Sequence, residues 1–178
     1  LGRTAELHVH GPLQVGDFIN FLLKTFYTDI GYKLIFHPVD VHQHTLVYED
    51  RSITVYSIPL QHRLPTCGYL FKEKPGLPHI RREMIDAFNI PVSQINNIKA
   101  GASWTTEDGT IIPHERLTTP AKPPRSYAYC SDTVYLPHLK DILHGVTLLY
   151  HEATYMHERA LRAEQTRHTT ALQAAMLA

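Results

Sequence analysis

Apolar and polar residues follow two different periods along the chain, which predict strands and helices in close succession. Val15, Phe18, Ile19, Leu22 and Leu23 recur at the spacing of one helix face, so VGDFINFLLKTF is predicted to be an amphipathic helix. SITVYSIPL alternates apolar and polar residues and is predicted to be a half-buried strand. The other predicted strands are AELHVHGP, KLIFHPV, TLVYE, QHRLPTCGYLFKEK, SYAYCSDT and VTLLYHEAT, and the other predicted helices are LPHLKDIL, MHERALRAEQ and TALQAAMLA.

The order of these elements favours a layered α/β fold. Strands dominate the early chain, and strand and helix alternate near its end, which is typical of helices that cover a sheet. The pattern changes from residue 74 to residue 116, where prolines bound the short predicted helices HIRREMIDAF and VSQINNI and where Asp108-Gly109 predicts a hairpin turn. The stretch LTTPAKPPRS is predicted to be a proline-rich linker. Residues 74–116 are therefore expected to leave the main core.

Composition indicates one ordinary globular core and gives no bulk electrostatic argument for a partner. Of the 178 residues, 43% are apolar and 19% are charged, and 17 basic residues balance 17 acidic ones. No apolar run reaches the ~18 to 20 residues of a membrane helix, and the first residues have no signal-peptide layout. Two cysteines, Cys67 and Cys130, are too few for a disulfide framework. We therefore expect a cytoplasmic protein with no membrane partner.

Thirteen histidines are the compositional oddity, and imidazoles commonly bind metals or carry protons. His8 and His10 point to the same face of a predicted strand, as two metal ligands can. No further ligand follows at a suitable spacing and the Gly11-Pro12 turn redirects the chain, so a role without metal is favoured. His42 and His44 lie between two predicted strands and are expected to be solvated.

Titratable residues stand directly after three predicted strands and in one later loop. His62 follows SITVYSIPL, Asp132 follows SYAYC, His151-Glu152 ends VTLLY, and His168 precedes the last helix. Ligands of α/β folds gather at the carboxyl ends of strands, so these residues are expected to converge. His62 and Asp132 suit zinc or manganese, and Glu152 suits the orientation of His168 as a general acid. For Asp132 the capping of a following helix is an equally open reading.

Four strings carry a family resemblance: PLQHRLPTCGYLFKEK, YAYCSDT, LLYHEATY and RHTTALQAA. In this order and spacing they resemble ribonuclease Z, the tRNA 3′-processing endoribonuclease with a metallo-β-lactamase fold. The resemblance implies an αββα sandwich over residues 1–178, incomplete at both ends. It also implies that residues 74–116 are an inserted substrate-binding arm for tRNA.

The same resemblance implies a role for each motif residue. His62 matches a ligand of the first metal ion, and Asp132 matches the carboxylate that bridges two metal ions. Glu152 matches the residue that holds the next histidine, and His168 matches the residue that protonates the leaving 3′ oxygen of the tRNA. The usual His-Ser-Thr of the family reads His168-Thr169-Thr170 here, which keeps a hydroxyl group.

Part of the family's metal site is not found in the sequence. The HxHxDH string and the last metal histidine are missing, and His8-Val9-His10 does not replace them. The chain therefore resembles an internal piece that should bind metal poorly and be inactive alone. The resemblance implies two Zn²⁺ ions per subunit in the complete protein, with Mn²⁺ as the other candidate.

Basic residues on or near the arm are candidates for contact with tRNA phosphates. They are Lys72, Lys74, Arg81, Arg82 and Lys99. Glu73, Glu83 and Asp86 partly cancel this charge, so a solvated mixed-charge surface remains equally open. The resemblance further implies precursor tRNA as a partner and a homodimer in which the arm of one subunit serves the other.

Two other functions remain open from the sequence. The chain fits a metallo-β-lactamase-fold hydrolase of a small phosphodiester or sulfate ester, in which the arm is a lid. It also fits a non-catalytic RNA-binding remnant that has lost its metal motif.

Overall fold

The structure is a computed structural model that describes residues 2–26 and 30–178. The chain forms two compact units, of which the first combines Leu1–Glu73 with Arg125–Ala178 and the second is Lys74–Pro124. No helix within the described ranges is long and apolar enough to cross a membrane.

Most predicted elements are present, and several are shorter than predicted. The strands are β1 (Leu7–Gly11), β2 (Leu34–Pro38), β3 (Leu46–Glu49), β4 (Ile53–Pro59), β5 (Cys67–Glu73), β6 (His79–Ile80), β7 (Trp104–Thr105), β8 (Ile111–Ile112), β9 (Thr118–Thr119), β10 (Ser126–Cys130) and β11 (Leu148–His151). The helices are α1 (Leu13–Thr25), α2 (Arg82–Ala87), α3 (Val92–Lys99), α4 (His114–Leu117), α5 (Leu139–Leu143), α6 (Ala160–Thr166) and α7 (Ala171–Ala175), and a 3₁₀ turn, His157–Arg159, precedes α6.

A five-stranded sheet in the order β11-β10-β5-β4-β3 organises the first unit. Strands β10 and β11 are parallel, and the other neighbours are antiparallel. Ile58, Leu70 and Ala128 are fully buried and share one core cluster with Leu139 of α5. Because β10 and β11 run in the same direction, the residues that follow them emerge at the same edge of the sheet.

The end of β4 is more deeply buried than a half-buried strand requires. Ser57 and Ile58 are adjacent and both are fully buried, so both faces of the strand are covered there. The Ser57 hydroxyl donates to the carbonyl oxygen of Gln43 at 2.7 Å and accepts from the amide of Thr45 at 3.0 Å. These bonds satisfy the buried hydroxyl, which explains a polar residue in the core.

A second, two-stranded sheet pairs β1 and β2 in parallel. Helix α1 packs closely on it, because a Cβ atom at Gly16 would lie 2.6 Å from Cδ1 of Phe36. The Nδ1 atom of His8 lies 2.8 Å from Nε2 of His37, and within the described chain His8 belongs to no group of three metal-ligating side chains.

The second unit has its own small core and two short antiparallel pairs. Strands β7 and β8 form the predicted hairpin, and Gly109 in its turn has a φ of 84°. Strand β9 pairs with β6, and Leu117 just before it is fully buried. The linker prediction was therefore wrong for its first residues, and the unit extends to Pro124 rather than to residue 116.

Glu73 and Arg125, the residues of the first unit that precede and follow the second unit in the chain, form an ion pair. Arg125 donates through Nη2 to Oε1 of Glu73 at 2.6 Å, and its backbone amide donates to Oε2 at 2.8 Å. The side-chain and backbone hydrogen bonds from Arg125 lower the pKa of Glu73 to about 2. The pair lies at the surface and is therefore sensitive to salt.

This depressed pKa predicts how Glu73→Gln changes the pH dependence of stability. A carboxylate with a lowered folded-state pKa stabilises the fold above its ordinary pKa of 4.5, and the effect disappears as the pH falls toward 2. Thermal unfolding at low salt should show the largest gap in unfolding temperature between wild type and variant near pH 7 and only a small gap near pH 2. Glu158→Gln at an exposed site is the control. A gap that stays constant down to pH 2 would contradict this role.

Candidate metal and catalytic site

Three predicted site residues lie together at one edge of the five-stranded sheet. His62 follows β4, Asp132 follows β10, and His168 lies between α6 and α7. One potential ligand atom from each lies within 4.8 Å of the others. The sequence positions are far apart, so only the packing of the sheet and its connections brings these groups together. Their individual roles remain predictions.

Hydrogen bonds between two loops hold His62 in place. The amide of Gln61 donates to Oγ1 of Thr133 at 3.2 Å, and the amide of Val134 donates to the carbonyl oxygen of Gln61 at 2.9 Å. The Nε2 atom of His62 is buried and has no hydrogen-bond partner within the described part of the chain. A buried polar atom usually has a partner, so this nitrogen fits a metal ligand.

Asp132 occupies a backbone conformation that is rare for residues with a side chain. Its φ is 55°, in the left-handed region, where a non-glycine residue costs roughly 1 kcal/mol. Helix α5 begins only at Leu139, so the reading of Asp132 as its N-cap was wrong. The left-handed turn instead leaves the carboxylate exposed beside His62 and His168.

Glu152 is a buried carboxylate that four donors surround. Its side chain accepts hydrogen bonds from the backbone amides of Thr133 at 2.6 Å and Thr169 at 3.2 Å and from the Thr154 hydroxyl at 2.6 Å. Nδ1 of His168 lies 3.0 Å from its Oε2 atom. Burial acts to raise the pKa of Glu152, but these hydrogen bonds outweigh it and hold the pKa below its ordinary value. Glu152 is thus ionised near neutral pH.

The contact with Glu152 determines which nitrogen of His168 is available for chemistry. An ionised carboxylate only accepts, so Nδ1 of His168 carries a proton and Nε2 is the other functional atom. The His168 ring lies 5.1 Å from the His62 ring, measured between centroids. Nε2 can bind a metal ion when neutral or donate a proton when the ring is charged.

Several residues that build the site were missed from the sequence. The backbone amides of Thr133 and Thr169 and the hydroxyl of Thr154 all donate to Glu152. These threonines lie in the motif strings quoted above, but roles were predicted only for the histidine or acidic residue near each of them. Arg167 donates from Nη1 to the carbonyl oxygen of His62 at 3.1 Å. The two residues are 105 positions apart, so no local pattern indicates this contact.

The predicted phosphate-binding cations are divided between the two units. The second unit contains Lys74, Arg81, Arg82 and Lys99. Lys72 lies instead on β5 of the first unit. Arg81 donates to the carbonyl oxygen of Thr118 at 3.2 Å, and Arg82 pairs with Asp86 at 3.9 Å. Both arginines thus already have partners within their own unit, and a role in binding tRNA remains a prediction.

Comparison with curated proteins shows similarity along the whole chain. All 178 residues match ribonuclease Z of Bacteroides fragilis (strain YCH46) with 50% identity and ribonuclease Z of Porphyromonas gingivalis (strain W83) with 48% identity. The chain spans 59% of the length of each of these relatives. No protein-family model matches it. The predicted resemblance to ribonuclease Z is confirmed.

Comparison with solved structures supports the fold. The crystal structure of human tRNase Z, short form, matches with a TM-score of 0.58 and 17% identity. The match covers 97% of this chain and 55% of the human one. The predicted metallo-β-lactamase fold class is therefore confirmed.

The four donors around Glu152 predict that Glu152→Ala destabilises the protein strongly. The change leaves buried amides and an imidazole without an acceptor, which should cost about 2–4 kcal/mol of unfolding free energy. Urea unfolding measures this loss. Glu158→Ala removes an exposed carboxylate and should change the free energy by less than about 0.5 kcal/mol. Equal effects of the two changes would show that Glu152 has no special structural role.

Proposed function

We propose that this chain, which is homologous to ribonuclease Z along all of its 178 residues, is part of a zinc-dependent endoribonuclease. The complete enzyme removes the 3′ trailer from precursor tRNA and leaves a 3′-hydroxyl group on the tRNA. The observation that carries the proposal is the meeting of His62, Asp132 and His168, with the buried carboxylate of Glu152 behind His168.

His62 and Asp132 are the residues of this chain that would hold metal. The unpaired Nε2 of His62 and the exposed Asp132 carboxylate suit Zn²⁺, and also Mn²⁺. Two ligands are too few for a stable site, so the other ligands are expected from an HxHxDH segment and a last histidine of the complete protein. A bound divalent ion supplies Lewis acidity toward the phosphoryl group and neutralises developing negative charge.

His168 and Glu152 supply the proton for the leaving group. Glu152 accepts from Nδ1–H and stabilises the charged imidazole, so that Nε2–H is directed as a donor. The leaving group is a ribose 3′ oxygen, which is strongly basic without a proton. Protonation by His168 as the P–O bond breaks contributes ~10² to 10⁴ in rate.

The second unit, Lys74–Pro124, is the candidate for recognition of the folded tRNA. Proteins read structured RNA mainly by shape and by contacts to its backbone. Its cations Lys74, Arg81, Arg82 and Lys99 are the candidates for phosphate contact. We further infer a homodimer in which this unit serves the site of the partner subunit, and a cytoplasmic location, as the resemblance implies.

The first test compares two substrates with and without the second unit. In the complete protein, Lys74–Pro124 is replaced by a short Gly-Ser linker, which fits because the Glu73 amide donates to the Arg125 carbonyl at 2.9 Å. Cleavage of precursor tRNA should fall at least about a hundredfold because positioning is lost. Hydrolysis of bis(p-nitrophenyl) phosphate should change only a few-fold.

The alternative functions give other results in the same assay. A hydrolase of small esters would cleave the chromogenic diester well and precursor tRNA poorly, even with the second unit in place. A non-catalytic remnant would cleave neither substrate when its metal is supplied.

The second test separates the roles of Asp132 and His168. In the complete protein, Asp132→Ala should reduce bound metal, because it removes a ligand, whereas His168→Ala should keep the metal and lower single-turnover cleavage by ~10² to 10⁴. Elemental analysis and quenched-flow cleavage measure the two effects. His157→Ala removes an exposed imidazole outside the cluster and serves as control. Equal metal loss in the Asp132 and His168 variants would make His168 a ligand.

A further inference from the structure

Two open cavities of the first unit flank the His62, Asp132 and His168 cluster. The first has a volume of 510 Å³ and is lined by His62, and the second has a volume of 590 Å³ and is lined by His168. Gln61 and Arg167 line both. Both volumes lie within the range of about 300–1,000 Å³ that is typical of ligand sites. A phosphodiester held at the cluster therefore has space for a nucleotide on either side.

The two cavities differ in charge. Besides His62, the first is lined by Arg63, Arg167, His42 and His138, and none of the described residues that line it is acidic. The second includes the carboxylate of Glu164 beside Arg167 and His168. An arginine guanidinium suits phosphate oxygens by charge and by its planar set of donors. The first cavity thus has the chemistry of a phosphate site.

Arg167 lies at the boundary of the two cavities in a strained conformation. It ends α6 with a φ of 61°, where glycine is the unstrained choice. One guanidinium N–H donates to the His62 carbonyl at 3.1 Å. Because a guanidinium carries five N–H donors, others remain for a ligand. Strained backbone of this kind clusters at functional sites, so Arg167 is a candidate for a functional side chain.

The direction of the RNA follows from the proposed function, on which this inference rests. His168 protonates the leaving 3′ oxygen of the tRNA, so the last tRNA nucleotide belongs on the His168 side, in the second cavity. The trailer then leaves on the His62 side. We propose that the first cavity binds the backbone phosphates of the first trailer nucleotides, chiefly through Arg63 and Arg167.

The test measures binding without cleavage, in the complete protein with EDTA present. Fluorescence anisotropy compares a labelled precursor tRNA that carries a trailer with the same tRNA ending at the cut. Arg63→Ala should weaken binding of the precursor on the order of tenfold and reduce the salt slope by about one, because one phosphate contact is lost. Binding of the trailer-free tRNA should stay within about twofold of wild type, since that RNA has no phosphate to place in the cavity.

Matched variants keep the result interpretable. Arg162→Ala removes an exposed arginine of α6 that lines neither cavity, and it should leave both RNAs unaffected. Arg63→Lys keeps the charge and should restore most of the precursor binding, which also reports that the loop still folds. Arg167→Gly relieves the left-handed strain, so it should weaken precursor binding without lowering the thermal unfolding temperature.

Two outcomes overturn the proposal. In the first, Arg63→Ala behaves like Arg162→Ala with both RNAs, and in the second, Arg63→Ala weakens the binding of both RNAs equally. Failure of the wild-type protein to cleave precursor tRNA with metal restored would instead refute the proposed function. The separate cleavage assay therefore distinguishes the two failures.

Discussion

The site depends on Glu152, whose buried carboxylate accepts four hydrogen bonds. It stands directly after β11, and its four hydrogen bonds reach the loop after β10, its own loop and the loop before α7. A buried charge is costly unless it is fully hydrogen-bonded, so each donor must keep its position. The same bonds that stabilise the carboxylate therefore fix the loops that carry Asp132 and His168.

These hydrogen bonds also stabilise strained backbone conformations at two residues of the site loops. Asp132 and Arg167 both have φ near 60° without being glycine. Their neighbours, Thr133 and His168, are bound to Glu152, and Arg167 itself is bound to the His62 carbonyl. Strain of this kind persists when surrounding contacts determine the conformation more strongly than the local preference does. The result is a fixed carboxylate and a fixed imidazole at the sheet edge.

The function proposed here requires a substrate that extends beyond the cluster of His62, Asp132 and His168. A small ester needs only the cluster, whereas a nucleic acid also presents phosphates on either side of the bond that breaks. The uneven charge of the two cavities suits a directional ligand, and the compact unit Lys74–Pro124 is the candidate for its recognition under the proposed function. Both features are consistent with the similarity to ribonuclease Z.

Local sequence determined the elements and the residue types of the site. Some features depend only on residues within a few positions of each other, so the sequence alone reveals them. They are the apolar stripe of α1, the turn at Asp108-Gly109 and the titratable residues after β4, β10 and β11. Only the tertiary structure decided that the second unit ends at Pro124, which groups donate hydrogen bonds to Glu152, and that Arg167 donates to the carbonyl oxygen of His62. These contacts join segments that are distant in sequence, and their geometry follows from how strands pair and loops pack.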